Sequence, residues 1–334
     1  MKNFVDLFSG GGLGARGAAM AGMTPILAVD MWDRACETYK TNFPTAIVLN
    51  QKVDDINPLE HIRREDVDLL LASPECTNHS VAKGAAPRSE ESKETALHTV
   101  DWIATLMPTW FVIENVKEMK DWHRYDELLD LLRLLGYQLR EQVINAAEFG
   151  APQSRVRLFL IGGLGQAPPQ ITPDPTERPM TVRDILDPDD QWKFTPVFTK
   201  RRAENTLARV RNAIATLGDD AEFLVVYYGS GGDKSWQTLD EPLRTVTCVD
   251  RFALVRRIDG EWKMRMLQVP EIARAMSLPP EHILTVGSRR ERIKLCGNGV
   301  CAAVMKRIVT QLKAATPVPQ PAKGQARRQT PVSA

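Results

Sequence analysis

The chain has little of what marks secreted, membrane-bound or metal-stapled proteins. Its 334 residues include five cysteines (Cys36, Cys76, Cys248, Cys296, Cys301), an odd number with no CxxC pair. That argues against a disulfide framework and a structural zinc site, and for a reducing compartment. No apolar run approaches a membrane span, and Met1–Asp6 leads straight into an apolar strand without a signal or transit pattern. The expectation is a cytoplasmic protein with no membrane partner. A net charge of +1 gives no global signal for a polyanion, so any nucleic-acid surface must come from local clustering. No internal repeat is visible. What remains is an ordinary globular composition, 43% hydrophobic and 25% charged, long enough for one large domain and a smaller one.

The order of motifs predicts a doubly wound α/β fold. Phe4–Phe8 is a short apolar strand, followed by Ser9-Gly10-Gly11-Gly12-Leu13-Gly14 and a small-residue helix over Ala15–Met23. Glycines let backbone approach a ligand, and helix N-terminal amides can hold its carboxylate or phosphate. Pro25–Val29 is a second strand ending at Asp30, placed either to hydrogen-bond ribose hydroxyls or to cap the next helix. Ala46–Leu49 and Leu69–Ala72 follow as strands. The second runs into Ser73-Pro74-Glu75-Cys76, putting a thiol just past a strand's carboxyl end, where open α/β sheets keep their chemistry. A lone cysteine is otherwise a small core residue. After a helix from about Glu94 to Leu106, Trp110–Ile113 ends in Glu114-Asn115-Val116. A carboxyl buried there would have a raised pKa and could donate a proton. Helix Tyr125–Leu135 and strand Tyr137–Asn145 lead to Gln153-Ser154-Arg155-Val156-Arg157 and strand Leu158–Gly162. Alternation puts Arg155 and Arg157 on one side, suited to an anion or a base edge, or to surface ion pairing.

From Gln166 prolines mark a linker, and periodicity is hard to read to about Gly218. The basic cluster of Lys200, Arg201, Arg202, Arg209 and Arg211 suits a phosphate backbone or a solvated helix face equally. A β-rich stretch runs from Pro242 to Val255, and Val269–Met276 reads as a helix. The basic run Arg289–Lys294 enters Leu295-Cys296-Gly297-Asn298-Gly299-Val300, which opens a helix over Cys301–Lys313. Residues after Thr316 have the composition of a disordered tail.

Together these pieces resemble the C5-cytosine DNA methyltransferase family, of bacterial or phage type. The ordered set is Phe4-x-Asp6-Leu7-Phe8-Ser9-Gly10-Gly11-Gly12, Pro74-Glu75-Cys76, Glu114-Asn115-Val116, Gln153-x-Arg155-x-Arg157 and Gly297-Asn298-Gly299-Val300. The resemblance implies a mostly parallel, Rossmann-like methyltransferase sheet with a smaller, β-rich target-recognition domain. It implies S-adenosylmethionine as cofactor, S-adenosylhomocysteine as product, and no metal. Asp6, Phe8, Ser9, Gly10, Gly11, Gly12, Leu13, Asp30, Met31, Asp55, Ile56, Pro74, Asn298 and Val300 would hold that cofactor. Cys76 would be the nucleophile, with Glu114, Arg155 and Arg157 on the base. Ser80, Lys83, Gln153 and Arg244 would contact double-stranded DNA. The implied organisation is a catalytic domain over 1–165, target recognition over 166–262, a hinge over 263–295, a returning C-terminal helix over 296–316 and a tail over 317–334. The protein would be a monomer, with a cognate restriction endonuclease as a further partner.

The chemistry explains the residue types. Cytosine C5 is a poor nucleophile, and a thiolate adding to C6 converts the ring to an enamine with electron density at C5. Glu114 at N3 and Arg155 on the O2 side would stabilise that species, on a base flipped out of the duplex. The chain departs from the family pattern at three places. Glu75 and Thr77 flank the cysteine where proline and glutamine are usual, and Met31 stands where an aromatic commonly follows the ribose acid. An inward Glu75 would raise the thiol pKa. Rival readings are an NAD-dependent oxidoreductase, from Gly12-x-Gly14-x-x-Gly17 and Asp30, an RNA cytosine methyltransferase, and a DNA binder without turnover. The oxidoreductase reading leaves Cys76, Glu114 and the arginines without a common purpose.

Overall fold

The computed structural model describes residues 1–74, 90–188, 190–228 and 235–316, with backbone alone for 90–94. Five parallel strands come first: β1 (Asn3–Leu7), β2 (Thr24–Asp30), β3 (Ile47–Asn50), β4 (Leu69–Ala72) and β5 (Trp110–Asn115). Helices α1 (Leu13–Met20), α2 (Asp33–Asn42) and α3 (Glu90–Leu106) lie between them. Next come α4 (Tyr125–Leu134), β6 (Tyr137–Asn145), the two-residue β7 (Gln153–Ser154) and β8 (Val156–Leu164). The seven-stranded sheet has the order β3-β2-β1-β4-β5-β8-β6, and β8 runs antiparallel to both its neighbours. Because β8 is reversed, its N-terminal end lies at the same sheet edge as the carboxyl ends of β4 and β5. That edge therefore receives residues from both sources.

The rest of the chain builds a second sheet and then returns. Strands β9 (Thr195–Pro196), β10 (Phe223–Val226), β11 (Trp236–Thr238), β13 (Phe252–Ile258) and β14 (Glu261–Met266) form a five-stranded antiparallel sheet in the order β11-β10-β13-β14-β9. Helix α5 (Glu204–Leu217) packs Leu207, Val210 and Ala213 against it. Strand β12 (Leu243–Arg244) leaves that sheet to pair in parallel with β7. Helices α6 (Val269–Ala275), α7 (Arg289–Asn298) and α8 (Ala302–Ala315) close the chain back onto the first sheet.

Strand alternation splits the large core in two. Val5, Leu7, Leu27, Val29, Leu70, Phe111 and Ile113 face α3 and α4. Phe4, Ala28, Leu69, Leu71, Trp110 and Val112 face α1, α2 and α8. Two sequence expectations shift. Strand β8 continues to Leu164, past the expected end at Gly162, because Gly162 and Gly163 leave room for the Phe111 and Trp110 rings, where a Cβ would sit 2.1 Å and 2.4 Å from ring atoms. The basic run from Arg289 is itself a helix, α7, started by a reciprocal Ser288–Glu291 capping box, so it crosses position 295 and ends at Asn298. Among the described residues no helix is long and apolar enough to cross a membrane.

Helices α1 and α8 pack closely. A Cβ on Gly17 would lie 2.3 Å from the Ala302 carbonyl oxygen and 2.8 Å from Met305 Cβ. In an ordinary helix interior Gly→Ala gains about 1 kcal/mol. Here the sign reverses: Gly17→Ala is expected to lose about 1–3 kcal/mol to overpacking. Urea denaturation of the two proteins checks it.

Candidate active site

The loop after β1 is held in a conformation that most residues avoid. Phe8 has φ +53°, Gly10 +52° and Gly12 +77°. Bonds from Ser9 N to Val29 O (3.1 Å) and Gly12 N to Ser9 O (3.0 Å) fix it, and Gly10 N donates to Asp30 Oδ2 at 2.8 Å. The other oxygen of Asp30 accepts the Trp32 amide at 2.8 Å. Asp30 thus supports the loop and holds the Trp32 amide just ahead of α2, whose first turn takes no side-chain cap. A left-handed non-glycine residue such as Phe8 costs about 1–3 kcal/mol and marks a place where strain serves a purpose.

This loop fits a cofactor. Ser9 Oγ is buried with no hydrogen-bond partner among the described residues, and a Cβ at Gly10 would meet nothing within 4 Å. The loop tip therefore borders open space and offers an unspent hydroxyl. Beneath it Asp6 is buried; burial, with Asp30 adding to it, holds its pKa well above the usual carboxylate range. Leu13 is buried under α7 and α8, where a Cβ on Gly299 would strike it at 2.4 Å. Val300 is buried beside Gly14. Asn298, at the end of α7, accepts from Cys248 Sγ at 2.8 Å. Of the other residues expected at the cofactor, Met31 and Asp55 are exposed and Ile56 is buried. Trp32, which the sequence placed one step from the family's aromatic, carries the Lys294 ammonium 4.4 Å from its ring centroid.

The acid stands two strands away. Glu114 is 6% exposed near the end of β5, on the α8 face, and Arg157 Nε lies 3.3 Å from its Oε1. Glu114 Oε1 is buried and makes no hydrogen bond of ordinary geometry, so an acceptor remains for a further donor. Burial raises its pKa, against the pull of Arg157 and Arg155. A cleft between these three side chains is bounded by Phe159, Val300 and Cys301. Next along β5, Asn115 is buried. Its Nδ2 donates to Pro74 O at 3.2 Å and its Oδ1 accepts the Val116 amide at 2.8 Å. Asn115 was quoted in the motif without a role; its amide fixes the exit of β4, the last described residue before Cys76. Cys76 itself, with Ser80, Lys83 and the departures Glu75 and Thr77, lies outside the described residues.

Gln153 and Arg155, expected at DNA and base, are braces within the chain. Gln153 is fully buried; its Nε2 donates to Ala275 O at 3.0 Å and its Oε1 accepts Val246 N at 2.9 Å. Arg155 donates to Val246 O (3.1 Å) and Gly297 O (2.8 Å). Arg244 is brought to this point by the β12–β7 pairing. Of the basic cluster, Arg202 bonds Pro196 O, Arg209 bonds Val226 O and Arg211 pairs with Glu204.

The family model described as C-5 cytosine-specific DNA methylase matches residues 2–314. The chain belongs to that family. Among curated relatives, the type II methyltransferase M.HindV of Haemophilus influenzae is 32% identical over 54% of this chain and 61% of its own length. M1.HphI of Haemophilus parahaemolyticus is 34% identical over 48% of this chain and 45% of its own length. The chain thus spans about half the length of these two relatives. M.NlaX of Neisseria lactamica is more distant, 25% identical, and covers 94% of this chain and 97% of itself. A solved DNA modification methyltransferase from an Escherichia coli prophage shares the fold, with a TM-score of 0.68 and 20% identity over 94% of this chain and 99% of that one. The Entamoeba histolytica methyltransferase EhMeth does so at 0.70 and 15%, over 94% and 98%. The family is S-adenosylmethionine-dependent and modifies DNA.

A raised carboxyl pKa means that the native state holds its proton more tightly than the unfolded chain. Glu114 should then reduce stability progressively as pH rises above about 4.5 and through its folded value. Glu114→Gln removes that dependence. The melting temperature of the variant relative to the parent is expected to be higher at about pH 8 than at about pH 4.

Proposed function

We propose that this chain is a DNA cytosine-C5 methyltransferase acting on a flipped-out cytosine through a covalent bond from Cys76 to C6. The observation that carries the reading is the pairing of buried Glu114 with part-buried Arg157 at the end of β5, beside the strand that leads to Cys76. It answers what the cytosine ring requires. A thiolate adding at C6 pushes negative charge onto N3 and O2. A protonated Glu114, favoured by burial, donates at N3, and the Arg157 guanidinium takes the charge at O2. Arg155, spent on backbone carbonyls, supports this pair from behind. Once C5 carries the transferred methyl group, a base takes the C5 proton and the thiolate is expelled, which restores the aromatic ring.

The cofactor residues are the Ser9–Leu13 loop over Asp6 and Phe8, Asp30 with Met31, Asp55 and Ile56 at the rim, and Pro74, Asn298 and Val300 closing the far side. S-adenosylmethionine bound there supplies the electrophilic methyl group. The five-stranded sheet lies within or just beyond the 166–262 stretch assigned to target recognition; 263–295 would be the hinge and 296–316 the returning segment. Ser80, Lys83 and Arg244 are the candidate DNA contacts. A cytoplasmic monomer working with a cognate restriction endonuclease is the setting that type II relatives suggest.

Incubation with S-adenosylmethionine and mixed-sequence duplex DNA, followed by nucleoside mass spectrometry, should yield 5-methylcytosine; unmodified DNA with cofactor binding intact would overturn the reading. Cys76→Ala should abolish transfer while S-adenosylhomocysteine still binds. Glu114→Gln should lower kcat by about 10²–10⁴-fold, the usual reach of a positioned acid.

A further inference from the structure

The loop between α6 and α7 carries a histidine that none of this chemistry uses. His282 is 6% exposed. Arg16 of α1 donates from Nε to His282 Nδ1 at 3.2 Å, so Nδ1 is the acceptor and the ring proton sits on Nε2. Nε2 is buried, lies against the Gly11 backbone and makes no hydrogen bond of ordinary geometry. The ring stands edge-on to Phe43, centroids 6.5 Å apart, and the Arg16 guanidinium lies 4.8 Å from the same Phe43 centroid. Phe43 in turn occupies the space beside Gly12, where a Cβ would be 2.9 Å from its ring. Asn42 completes the arrangement: Oδ1 accepts the Ile283 amide at 2.7 Å and Nδ2 donates to the Ile283 carbonyl at 2.8 Å.

A buried histidine is commonly no more than a filled corner of the core, and a phenylalanine would fill this one without desolvating an imidazole. Burial, with the neighbouring Arg16 charge, pushes the His282 pKa down to about 3, so the ring stays neutral. Its two nitrogens face different elements: one receives Arg16, and the other is turned to the loop whose left-handed residues need support from behind.

We propose that His282 is a positioning residue for the cofactor loop, held by Arg16 as the neutral Nε2–H tautomer and bracing the Gly11 backbone. This rests on the reading of Ser9–Gly12 as the S-adenosylmethionine cradle. Through it the segment after α6, far away in sequence, tunes cofactor affinity without touching the cofactor.

The test is S-adenosylhomocysteine titration of the full chain by calorimetry, with His282→Gln, His282→Asn and His282→Phe. Glutamine keeps an N–H near the Nε2 position, asparagine keeps an acceptor near Nδ1, and phenylalanine keeps only the shape. The Phe and Asn variants should weaken binding about tenfold, and Gln should stay within about threefold of the parent, the size of one unmade hydrogen bond. In turnover the KM for S-adenosylmethionine should rise with kcat at saturation unchanged. Arg16→Gln, which leaves the histidine in place but removes its guanidinium donor, should also weaken binding and serves if a His282 variant does not fold. Equal affinity in all variants would overturn the proposal, as would losses that follow melting temperature irrespective of the Nε2 donor. If the parent itself does not bind S-adenosylhomocysteine, the cradle reading falls first and this one with it; if the parent binds and the Phe variant matches it, only the positioning role falls.

Discussion

Much of the molecule hangs on the bonds made by two side chains, Gln153 and Arg155. Between them they hold backbone groups of Val246, Ala275 and Gly297, from three stretches far apart in sequence. All of these groups are buried, so a missing partner would leave a carbonyl or amide unsatisfied, at about 1–3 kcal/mol each and more where a guanidinium is involved. Gly297 shows how close the approach is: a Cβ there would be 2.4 Å from the Thr247 carbonyl carbon. The strand leaving the second sheet, the end of α6 and the end of α7 are therefore set in place by one short extended segment. The site is assembled around that segment.

The second determinant is strand polarity. Parallel strands deliver residues at their carboxyl ends, which accounts for the loop after β1, Asp30, Glu114 and the approach to Cys76. A fully parallel sheet would put the start of the next strand at the opposite edge. Reversing β8 brings Arg157 to Glu114 instead, and a carboxyl that burial would keep protonated gains a guanidinium at 3.3 Å. Acid and cation then share a face of the sheet.

The sequence was legible where local pattern and tertiary demand agree. Buried parallel strands are short apolar runs ending in turn residues, and β6 was read to the residue because its flanks are sharp. The same rule failed at Gly162 and Gly163, where glycine makes room for large rings and does not end the strand. Helix α7 carried its own start signal, Ser288 and Glu291, but a basic run and a weakly amphipathic pattern concealed it. The stretch from 166 to 218 was opaque because a run of prolines precedes β9, which has only two residues, and α5 follows. Within the site, residue types were readable while partners were not. Nothing local shows that Gln153 and Arg155 spend their donors on carbonyls about 90 to 142 positions away. Asn115 and His282 have no periodicity or motif of their own beyond a neighbour's.

The contact of Gly17 with Ala302 also sets an order in time. The face of α1 that holds Gly17 is covered by α8, which follows it far later in the chain. At roughly 5–20 residues per second, that face waits about 15–60 s for its partner. Until α8 arrives, the glycine loop lacks its backing and the apolar side of α1 is open to water, to chaperones or to other nascent chains. A chain built this way covers the face of α1 only after the residues of α8 have been made.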